Sequence, residues 1–317
     1  LEKVFDKIVA KGNELTGLKK GLFFWALNLG ENYKPYNKNS SWYYFKLKIA
    51  RKLIFSKWKS ALGGELKFMV SGSAPLQERL INIFTAAGMP IYEGYGMTET
   101  SPGVAINDLR NGGLKVGTVG RTLKDVEVKI ASDGEILVKG SNIMMGYYKN
   151  EKLTNETIKN GYLHTGDIGT LDDDGFLKIT DRKKEMFKTS GGKYIAPAVL
   201  ESELKQSRFI EQVMIIGESQ KMPAALIQVN FDFVHEWARR HEHEIKDVSS
   251  DLKLIFRIQK EIDRYNRKFG QWEQIKKFEI TSDEWTIDAG HLTPTMKMRR
   301  KIIKEKYQKL FQKIYNS

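Results

Sequence analysis

The stretch 161–197 constrains the fold of this chain most strongly, because three unlike features follow one another within it. Asp167 lies between a glycine and a β-branched residue, so its carboxylate can accept two hydrogen bonds from a vicinal diol while the glycine lets a ligand approach the backbone. A charged segment at 181–184 then interrupts an apolar run, and a serine and two glycines at 190–192 form a backbone-exposing loop. This order predicts a nucleotide site beside a hinge.

The residues before this stretch change from a helical to an α/β pattern. Apolar residues recur at helical spacing over 1–62, where they indicate core packing, with an acyl tunnel lined by the aromatic-rich middle as the alternative. The segment 66–71 reads as a strand, followed by a helix that Pro75 opens and Gly88 ends. A second strand begins at Ile91 and runs into a polar glycine-containing segment, which is the α/β layout of a binding site.

The remainder predicts two further parts. Short β segments at 115–120, 126–130, 135–140 and 176–180 are separated by Gly, Asn and Asp turns and indicate a small β-barrel-like subdomain. A more charged α+β pattern follows. The predicted fold class is therefore α/β plus α+β, with domains at 1–103, 104–180 and 181–317.

Composition narrows the class of protein. The net charge of +13 and the pI near 9.5 indicate an anionic partner, which could be nucleic acid, a phospholipid surface or a polyanionic small molecule. The absence of cysteine excludes disulfides and thiolate chemistry. No apolar run reaches the roughly 18 residues of a membrane span, and the opening LEKVFDKIVA does not read as a secretory signal. We therefore expect a cytoplasmic protein, with peripheral membrane contact left open.

Several common kinds of site are disfavoured. His235, His241 and His243 lie in a polar helical segment without a second ligand cluster, which favours a solvated face over a metal site. No nucleophile-elbow serine occurs. The segment 190–193 fails as a phosphate-binding P-loop because a tyrosine follows the lysine, and the glycines at 94 and 96 lack the third glycine of a dinucleotide fingerprint.

Five residues form a consistent set for nucleotide chemistry. Thr98 can offer a hydroxyl to a phosphate, and Glu99 can offer a carboxylate to Mg²⁺. Asp167 can hold ribose hydroxyls, while Arg182 can donate to the same diol or to a phosphate. Lys297 is a mobile cation suited to transition-state charge. Each has an ordinary structural explanation, but their ordered occurrence favours a nucleotide site.

Longer motifs carry a family resemblance. The segments YEGYGMTETSP, GEILVKGSNIMMGYY, GYLHTGDIG, FLKITDRKKEMFKTSGGKYIAP and LTPTMKMRRKII resemble, in order, the later core motifs of adenylate-forming acyl-CoA synthetases. With VSGSAPL and LFFWALNLG, the sequence is most similar to the long-chain fatty acyl-CoA synthetases. The resemblance covers essentially the whole chain. It implies the end of a large AMP-binding domain, a β subdomain and a mobile C-terminal domain.

The resemblance also implies roles for individual residues. Six residues would frame the adenine: Ser73, Ala74, Pro75, Glu93, Gly94 and Tyr95. Three more would extend the nucleotide site: Gly96, Met97 and Ile179. Thr98 would meet the α-phosphate and Glu99 the magnesium ion, while Asp167 and Arg182 would bind ribose.

In the C-terminal domain, the resemblance implies that Lys184 is the hinge residue and Lys297 the adenylation lysine. Three residues would border the coenzyme A channel: Ser190, Gly191 and Gly192. The implied activity is ATP-dependent ligation of a long-chain fatty acid to coenzyme A through an acyl-adenylate.

One departure from the family pattern and three alternatives accompany this hypothesis. The family's Ser/Thr/Gly-rich phosphate loop does not occur in these residues, so we expect the N-terminal part of the same protein to be missing and the chain alone to lack full activity. The alternatives are an aryl- or medium-chain acyl-CoA ligase, a carrier-protein-directed adenylating enzyme, and a non-catalytic basic binding module. We expect no nucleic-acid partner, because no basic-aromatic motif of that kind occurs.

Overall fold

The computed structural model describes residues 1–316, and only the backbone of residues 3 and 111. Two compact units divide the chain, the first ending at Ile179 and the second beginning at Thr180.

Helices form the first part of the N-terminal unit. They are α1 Glu2–Glu14, α2 Gly17–Glu31, α3 Ser41–Ala50 and α4 Ser56–Ala61, with a π-helical turn, Arg51–Phe55, between the last two. The Ser40 hydroxyl caps α3 by accepting from the Tyr43 amide at 3.3 Å, and the buried Tyr43 hydroxyl donates to the Leu29 carbonyl at 2.5 Å. One face of α3 therefore closes over α2.

A four-stranded sheet follows. Its elements are β1 Met69–Ser71, α5 Glu78–Ala86, β2 Ile91–Gly96, β3 Gly103–Ile106 and β4 Arg121–Thr122, with the strands in the order β1-β2-β3-β4. Strands β1 and β2 are parallel, whereas the other pairs are antiparallel. The helix begins at Glu78, so the prediction that Pro75 opens it is wrong by one turn; Gly88 does follow its end, at φ 81°. The sheet extends past residue 103, since β3 pairs with β2.

A five-stranded, curled antiparallel sheet completes the unit. It contains β5 Val126–Ile130, β6 Glu135–Gly140, β7 Ile158–Lys159, β8 Tyr162–Leu171 and β9 Leu177–Arg182, and a short helix α6, Glu151–Thr157, precedes β7. The order is β5-β6-β8-β7, with β9 also on β8. The predicted strand at 115–120 is wrong: Gly117 and Gly120 have φ of 83° and 91°, which extended strands do not adopt.

The C-terminal unit is built on a three-stranded sheet. Its elements are β10 Phe187–Lys188, β11 Tyr194–Ile195, α7 Pro197–Leu204, β12 Ile210–Ile216, β13 Ala224–Val229, α8 Phe231–Arg240, α9 Leu252–Asn266, β14 Phe278–Ile280, α10 Arg300–Lys306 and α11 Gln308–Asn316. The sheet has the order β12-β13-β14, and β10 and β11 form a separate hairpin.

Both faces of this sheet are covered, which explains why β12 and β13 read as continuous apolar runs. Val213 and Ile215 pack into the cluster that contains residues of α7 and α9. Met214 and Ile216, which alternate with them, pack into the cluster that contains residues of α10 and α11. Helices α7 and α9 therefore lie on one face of the sheet, and α10 and α11 lie on the other.

Candidate active site

The parallel pairing of β1 with β2 sets one edge of the candidate site. Met69 pairs with Ile91 and Ser71 with Glu93, so the segments that follow the two strands leave the sheet on the same side. Ser73 lies in the first of these segments in the left-handed region, at φ 69°, and the neighbouring Ala74 and Pro75 are also exposed. This segment is open to a ligand.

Glu93 fastens the segment to β2. Its Oε1 accepts from the Leu76 amide at 3.2 Å, and the residue is 8% exposed. Burial raises the pKa of the Glu93 carboxyl to about 7; the Leu76 amide opposes this rise and the Glu78 charge adds to it. The predicted adenine residues on either side of α5 are thus held together by one carboxyl group.

Of the two glycines at the end of β2, Gly96 has a packing explanation. A Cβ on Gly96 would lie 1.6 Å from the Pro102 carbonyl oxygen, whereas one on Gly94 would lie at an ordinary contact distance of 3.4 Å from the Ala105 carbonyl oxygen. The strand has an irregular register between Tyr95 and Gly96, where it approaches β3 most closely. Gly96 is therefore required by the backbone whether or not a ligand contacts it.

Thr98 and Glu99 lie on a 3-10 turn, Thr98–Thr100, that follows β2. Its support is Thr100, a fully buried residue whose hydroxyl accepts from the Met97 amide at 3.0 Å and lies 2.7 Å from the Pro102 carbonyl oxygen. Thr98 is exposed at the start of the turn. The turn presents a hydroxyl and a carboxylate in succession from a fixed backbone.

Three residues without a predicted role hold this turn. The Tyr147 hydroxyl donates to Glu99 Oε1 at 3.0 Å, and the Met144 amide donates to the Glu99 carbonyl at 2.9 Å. The Asn142 amide donates to the Thr100 carbonyl at 3.1 Å and lies 2.7 Å from the Gly103 carbonyl. Their only sequence signal was the GSNIMMGYY motif, which carried the resemblance but gave no residue a role.

Asp167 is brought to the same region by the second sheet. It lies on β8, is 4% exposed, and its Oδ2 accepts from the Tyr95 hydroxyl of β2 at 2.7 Å. Ile179, on β9, packs with Tyr95 against the cluster between the sheets. The structure thus joins Tyr95, Asp167 and Ile179, which are far apart in sequence.

The predicted hinge residue lies at the start of the C-terminal unit. Lys184 is exposed in a turn that is closed by the Glu185 and Met186 amides, which donate to the Arg182 carbonyl at 2.9 and 3.1 Å. Arg182 is also exposed. Asp181 is buried and accepts from the amides of Arg182, at 2.6 Å, and of Ala198 in the first turn of α7, at 3.0 Å. Burial raises the pKa of the Asp181 carboxyl, against these two amides.

Arg300 connects this turn to the segment that carries Lys297. Its guanidinium donates to Glu185 at 3.0 Å and to the buried Glu201 of α7 at 2.6 Å. Glu201 also accepts from the Ile215 amide at 2.7 Å. A short ion-pair network therefore fastens the first residue of α10 to the turn that contains Lys184 and to α7.

Lys297 lies near the tip of a tight loop. The Thr293 amide donates to its carbonyl at 2.8 Å, and its own amide donates to the Thr293 hydroxyl at 3.0 Å. A bridge between Leu292 and Met298 closes the base of the loop, and Met296 lies in the left-handed region at φ 62°. The Lys297 side chain is exposed, so this hydrogen-bonded loop presents a positive charge to solvent.

Ser190, Gly191 and Gly192 connect β10 to β11. The Ser190 amide donates to the Gln220 carbonyl at 2.8 Å, the Gly192 amide donates to the Thr189 carbonyl at 2.9 Å, and Gly192 has φ of 76°. These three residues, together with Lys184, Arg182 and Lys297, belong to the second unit, whereas all the other predicted site residues belong to the first.

Two kinds of feature are not found among residues 1–316. No group of three or more potential metal-ligating His, Asp or Glu side chains occurs among them. Nor does this part of the chain contain a helix that is both long and apolar enough to cross a bilayer.

Solved structures with the same fold are adenylate-forming proteins. The adenylation domain of a carboxylate reductase from Mycobacterium chelonae superimposes with a TM-score of 0.67 at 20% identity, covering 93% of this chain and 45% of that one. The O-succinylbenzoate coenzyme A synthetase from Bacillus subtilis, solved with ATP and magnesium, has a TM-score of 0.57 at 24% identity, covering 77% of this chain and 49% of that one. The predicted fold class is confirmed as that of adenylate-forming enzymes.

Family comparisons narrow this class. The AMP-binding enzyme model matches residues 24–148, and the AMP-binding enzyme C-terminal domain model matches residues 185–317. The chain belongs to the AMP-binding enzyme family.

Relatives of known name agree with the predicted resemblance. The long-chain-fatty-acid–CoA ligase FadD15 of Mycobacterium tuberculosis is 41% identical over 269 residues, covering 84% of this chain and 44% of that protein. The long-chain-fatty-acid–CoA ligase 1 of Homo sapiens is 32% identical over 342 aligned positions, covering all of this chain and 47% of that protein. The chain spans about half the length of these relatives.

Proposed function

We propose that the chain takes part in the ATP-dependent ligation of a long-chain fatty acid to coenzyme A. The observation that carries this proposal is the pairing of the buried Asp167 carboxylate with Tyr95, beside the turn that bears Thr98 and Glu99. A buried carboxylate in this position is a hydrogen-bond acceptor of the kind that can bind a ribose diol. The names of the relatives supply the substrate class.

In the N-terminal unit, we assign the adenine to the open edge formed by β1 and β2. The exposed segment with Ser73, Ala74 and Pro75 would cover one face of the base, and Tyr95 would lie on the other side. Exposed backbone amides of this segment can donate to ring nitrogens. Thr98 would then contact the α-phosphate from the start of its turn.

Glu99 fits a magnesium ion that is shared with the nucleotide. It is a partly exposed carboxylate whose Oε1 is oriented by Tyr147, and nucleotide-bound magnesium uses one or two carboxylates together with phosphate oxygens. Such an ion would neutralise charge on the phosphates during adenylation.

The reaction would then proceed in two steps. In the first, an oxygen of the fatty acid carboxylate attacks the α-phosphorus of ATP, the bond to pyrophosphate breaks, and an acyl-adenylate forms. Lys297 would neutralise the developing charge from its exposed loop. In the second, the thiol of coenzyme A loses its proton and attacks the acyl carbonyl, and AMP leaves.

The second step needs a different arrangement of the C-terminal unit. We propose that rotation about Lys184, in the exposed turn that Arg182 closes, removes Lys297 and brings the loop of Ser190, Gly191 and Gly192 to the path of coenzyme A. Arg182 would contact ribose from the start of the same turn.

Separate assays of the two steps test these roles. In the complete enzyme, Lys297→Ala should abolish fatty-acid-dependent exchange of pyrophosphate into ATP, yet leave coenzyme A-dependent release of AMP from supplied acyl-adenylate intact. Lys301→Ala, which removes an exposed lysine from α10, is the matched control and should affect neither step. Equal loss of both steps in the Lys297 variant would contradict its assignment. A series of fatty acids and aryl acids in the first assay would test the acyl class.

A further inference from the structure

The segment that contains helices α3 and α4 carries charge of one sign only. Between Glu31 and Glu65 the sequence contains no acidic residue. The same segment contains eight basic residues: Lys34, Lys38, Lys46, Lys48, Arg51, Lys52, Lys57 and Lys59. Such a segment attracts an anionic partner irrespective of the charge elsewhere in the chain.

An exposed apolar row runs along the same segment. Trp42, Phe45, Ile49 and Leu53 are 64, 54, 37 and 43% exposed. Their spacing of three and four residues places them on one face of α3 and the following π-helical turn, and the rings of Trp42 and Phe45 stack at 5.3 Å. We call these four residues the α3 stripe.

The α3 stripe is not the face that holds the helix in place. Tyr43, Leu47 and Ala50 point the other way and are buried in the helical core of the N-terminal unit. The helix is therefore apolar on both sides, and one side is turned toward solvent. A contiguous exposed apolar surface of this kind marks an interaction site.

Lysines border the α3 stripe. The Lys46 ammonium lies 5.7 Å from the centre of the Trp42 ring, and Lys48, Lys52 and Lys57 are exposed. In helical projection Lys46 lies on one side of the stripe and Lys48 and Lys52 lie on the other. Long lysine side chains can direct their charges away from an apolar surface while their stems cover it.

We infer that the α3 stripe binds the surface of an anionic lipid bilayer, with α3 lying parallel to it. An anionic bilayer combines the two properties that the surface requires: an apolar phase for tryptophan, phenylalanine, isoleucine and leucine, and a layer of negative charge for the lysines on both sides. Trp42 and Phe45 would enter the boundary between headgroups and acyl chains, and the lysines would remain at headgroup level. The biological meaning of this contact rests on the proposed function. If that function is correct, the contact places the chain where long-chain fatty acids partition.

Vesicle binding tests this inference directly. The purified chain should sediment with phosphatidylcholine vesicles that contain phosphatidylserine, bind much less to phosphatidylcholine alone, and be released by high salt. W42S/F45S should reduce the partition coefficient on the order of tenfold or more, because two apolar side chains would no longer leave water. K48E/K52E should reduce it by a similar factor and remove most of the salt dependence.

A matched surface of the C-terminal unit serves as the control. Phe256 is 62% exposed on α9, and the Lys260 ammonium lies 4.5 Å from the centre of its ring, as Lys46 lies near Trp42. F256S/K260E should leave vesicle binding unchanged. All variants alter exposed positions, and circular dichroism would verify that each retains its helices.

Three results would overturn the inference: equal binding to neutral vesicles, unchanged binding by both stripe variants, or concentration-dependent self-association that W42S/F45S abolishes. The last would show that a second copy occupies the stripe. The outcome is separable from that of the proposed function, since vesicle sedimentation requires neither nucleotide nor acyl transfer. A chain that binds vesicles but no adenylate would retain this inference and lose the proposed function.

Discussion

At the scale of single residues, the carboxyl groups of Glu93 and Asp167 differ in what they bind. Glu93 accepts a backbone amide and is buried with a raised pKa, whereas Asp167 accepts the Tyr95 hydroxyl. The first therefore supports the backbone around the site, and the second is the better candidate for direct contact with a ligand.

Glu93 should make stability depend on pH. The folded chain holds the Glu93 proton up to about pH 7, whereas the unfolded chain releases it near the ordinary value of 4.5. The folded state therefore binds more protons between these values, and its stability falls as the pH rises through them, by on the order of 3 kcal/mol. Glu93→Gln should flatten this part of the profile and raise stability at pH 8. Urea unfolding of both proteins at pH 5 and pH 8 measures the effect, and an identical pH dependence would exclude Glu93 as its source.

Gly96 provides a second test at this scale. Gly96→Ala places a methyl group against the Pro102 carbonyl and should lower the free energy of unfolding by at least about 2 kcal/mol. Gly21→Ala is the control, since Gly21 lies inside α2 with open space around it and should become slightly more stable. Thermal unfolding compares the two. Similar changes in both variants would show that β2 and β3 do not require a glycine here.

Sequence patterns point to side chains by their own chemistry and do not reveal the residues that support them. Thr98, Glu99 and Asp167 have side chains whose chemistry is evident from their type and their glycine neighbours. Tyr147 and Asn142 were missed, since they contact the Thr98–Thr100 turn across 48 and 42 residues of sequence. Such contacts depend on how β6 and β3 are placed, which local patterns do not contain.

At the scale of elements, Arg300 determines how α10 is attached. Removal of its guanidinium leaves Glu201 buried without its cation and also releases Glu185 in the turn that contains Lys184. Arg300→Ala should therefore lower the free energy of unfolding by about 3–5 kcal/mol, as is usual when one partner of a buried ion pair is deleted. Arg299→Ala, which removes an exposed neighbour, should change it by less than about 0.5 kcal/mol.

Urea unfolding of the two arginine variants measures this difference. Arg300→Lys should recover part of the loss, because an ammonium restores the charge without the two-sided geometry of the guanidinium. If Arg300→Ala and Arg299→Ala unfold alike, the network does not hold α10.

Element boundaries show where local sequence signals were overridden. Proline at position 75 is compatible with a first helical turn, yet α5 begins at Glu78, because the Leu76 amide is held by Glu93. The segment 115–120 contains two valines, which favour strands, but the glycine conformations at 117 and 120 bend the chain there. A tertiary hydrogen bond therefore sets where α5 begins, and the backbone conformation of two glycines prevents a strand at 115–120.

At the scale of the whole molecule, the order of periodicities predicted the architecture. The helical spacing over the first 62 residues, the strand–helix–strand that follows and the short β segments after it correspond to elements of the structure. The apolar runs of β12 and β13 correspond to a sheet that is covered on both faces. The assignment to an adenylate-forming class came from motif resemblance, since periodicity alone fits many α/β proteins.

The most direct test of the central claim is calorimetric titration of the chain with a non-hydrolysable long-chain acyl-adenylate analogue. We predict one binding site per chain, and we predict that Asp167→Ala weakens binding by about 1.5–3 kcal/mol through loss of charge-assisted hydrogen bonds to ribose. Asp173→Ala, an exposed aspartate of the loop before β9, is the control and should bind as the parent chain does. No binding by the parent chain, or equal affinity in the Asp167 variant, would contradict the claim that Asp167 belongs to an acyl-adenylate site.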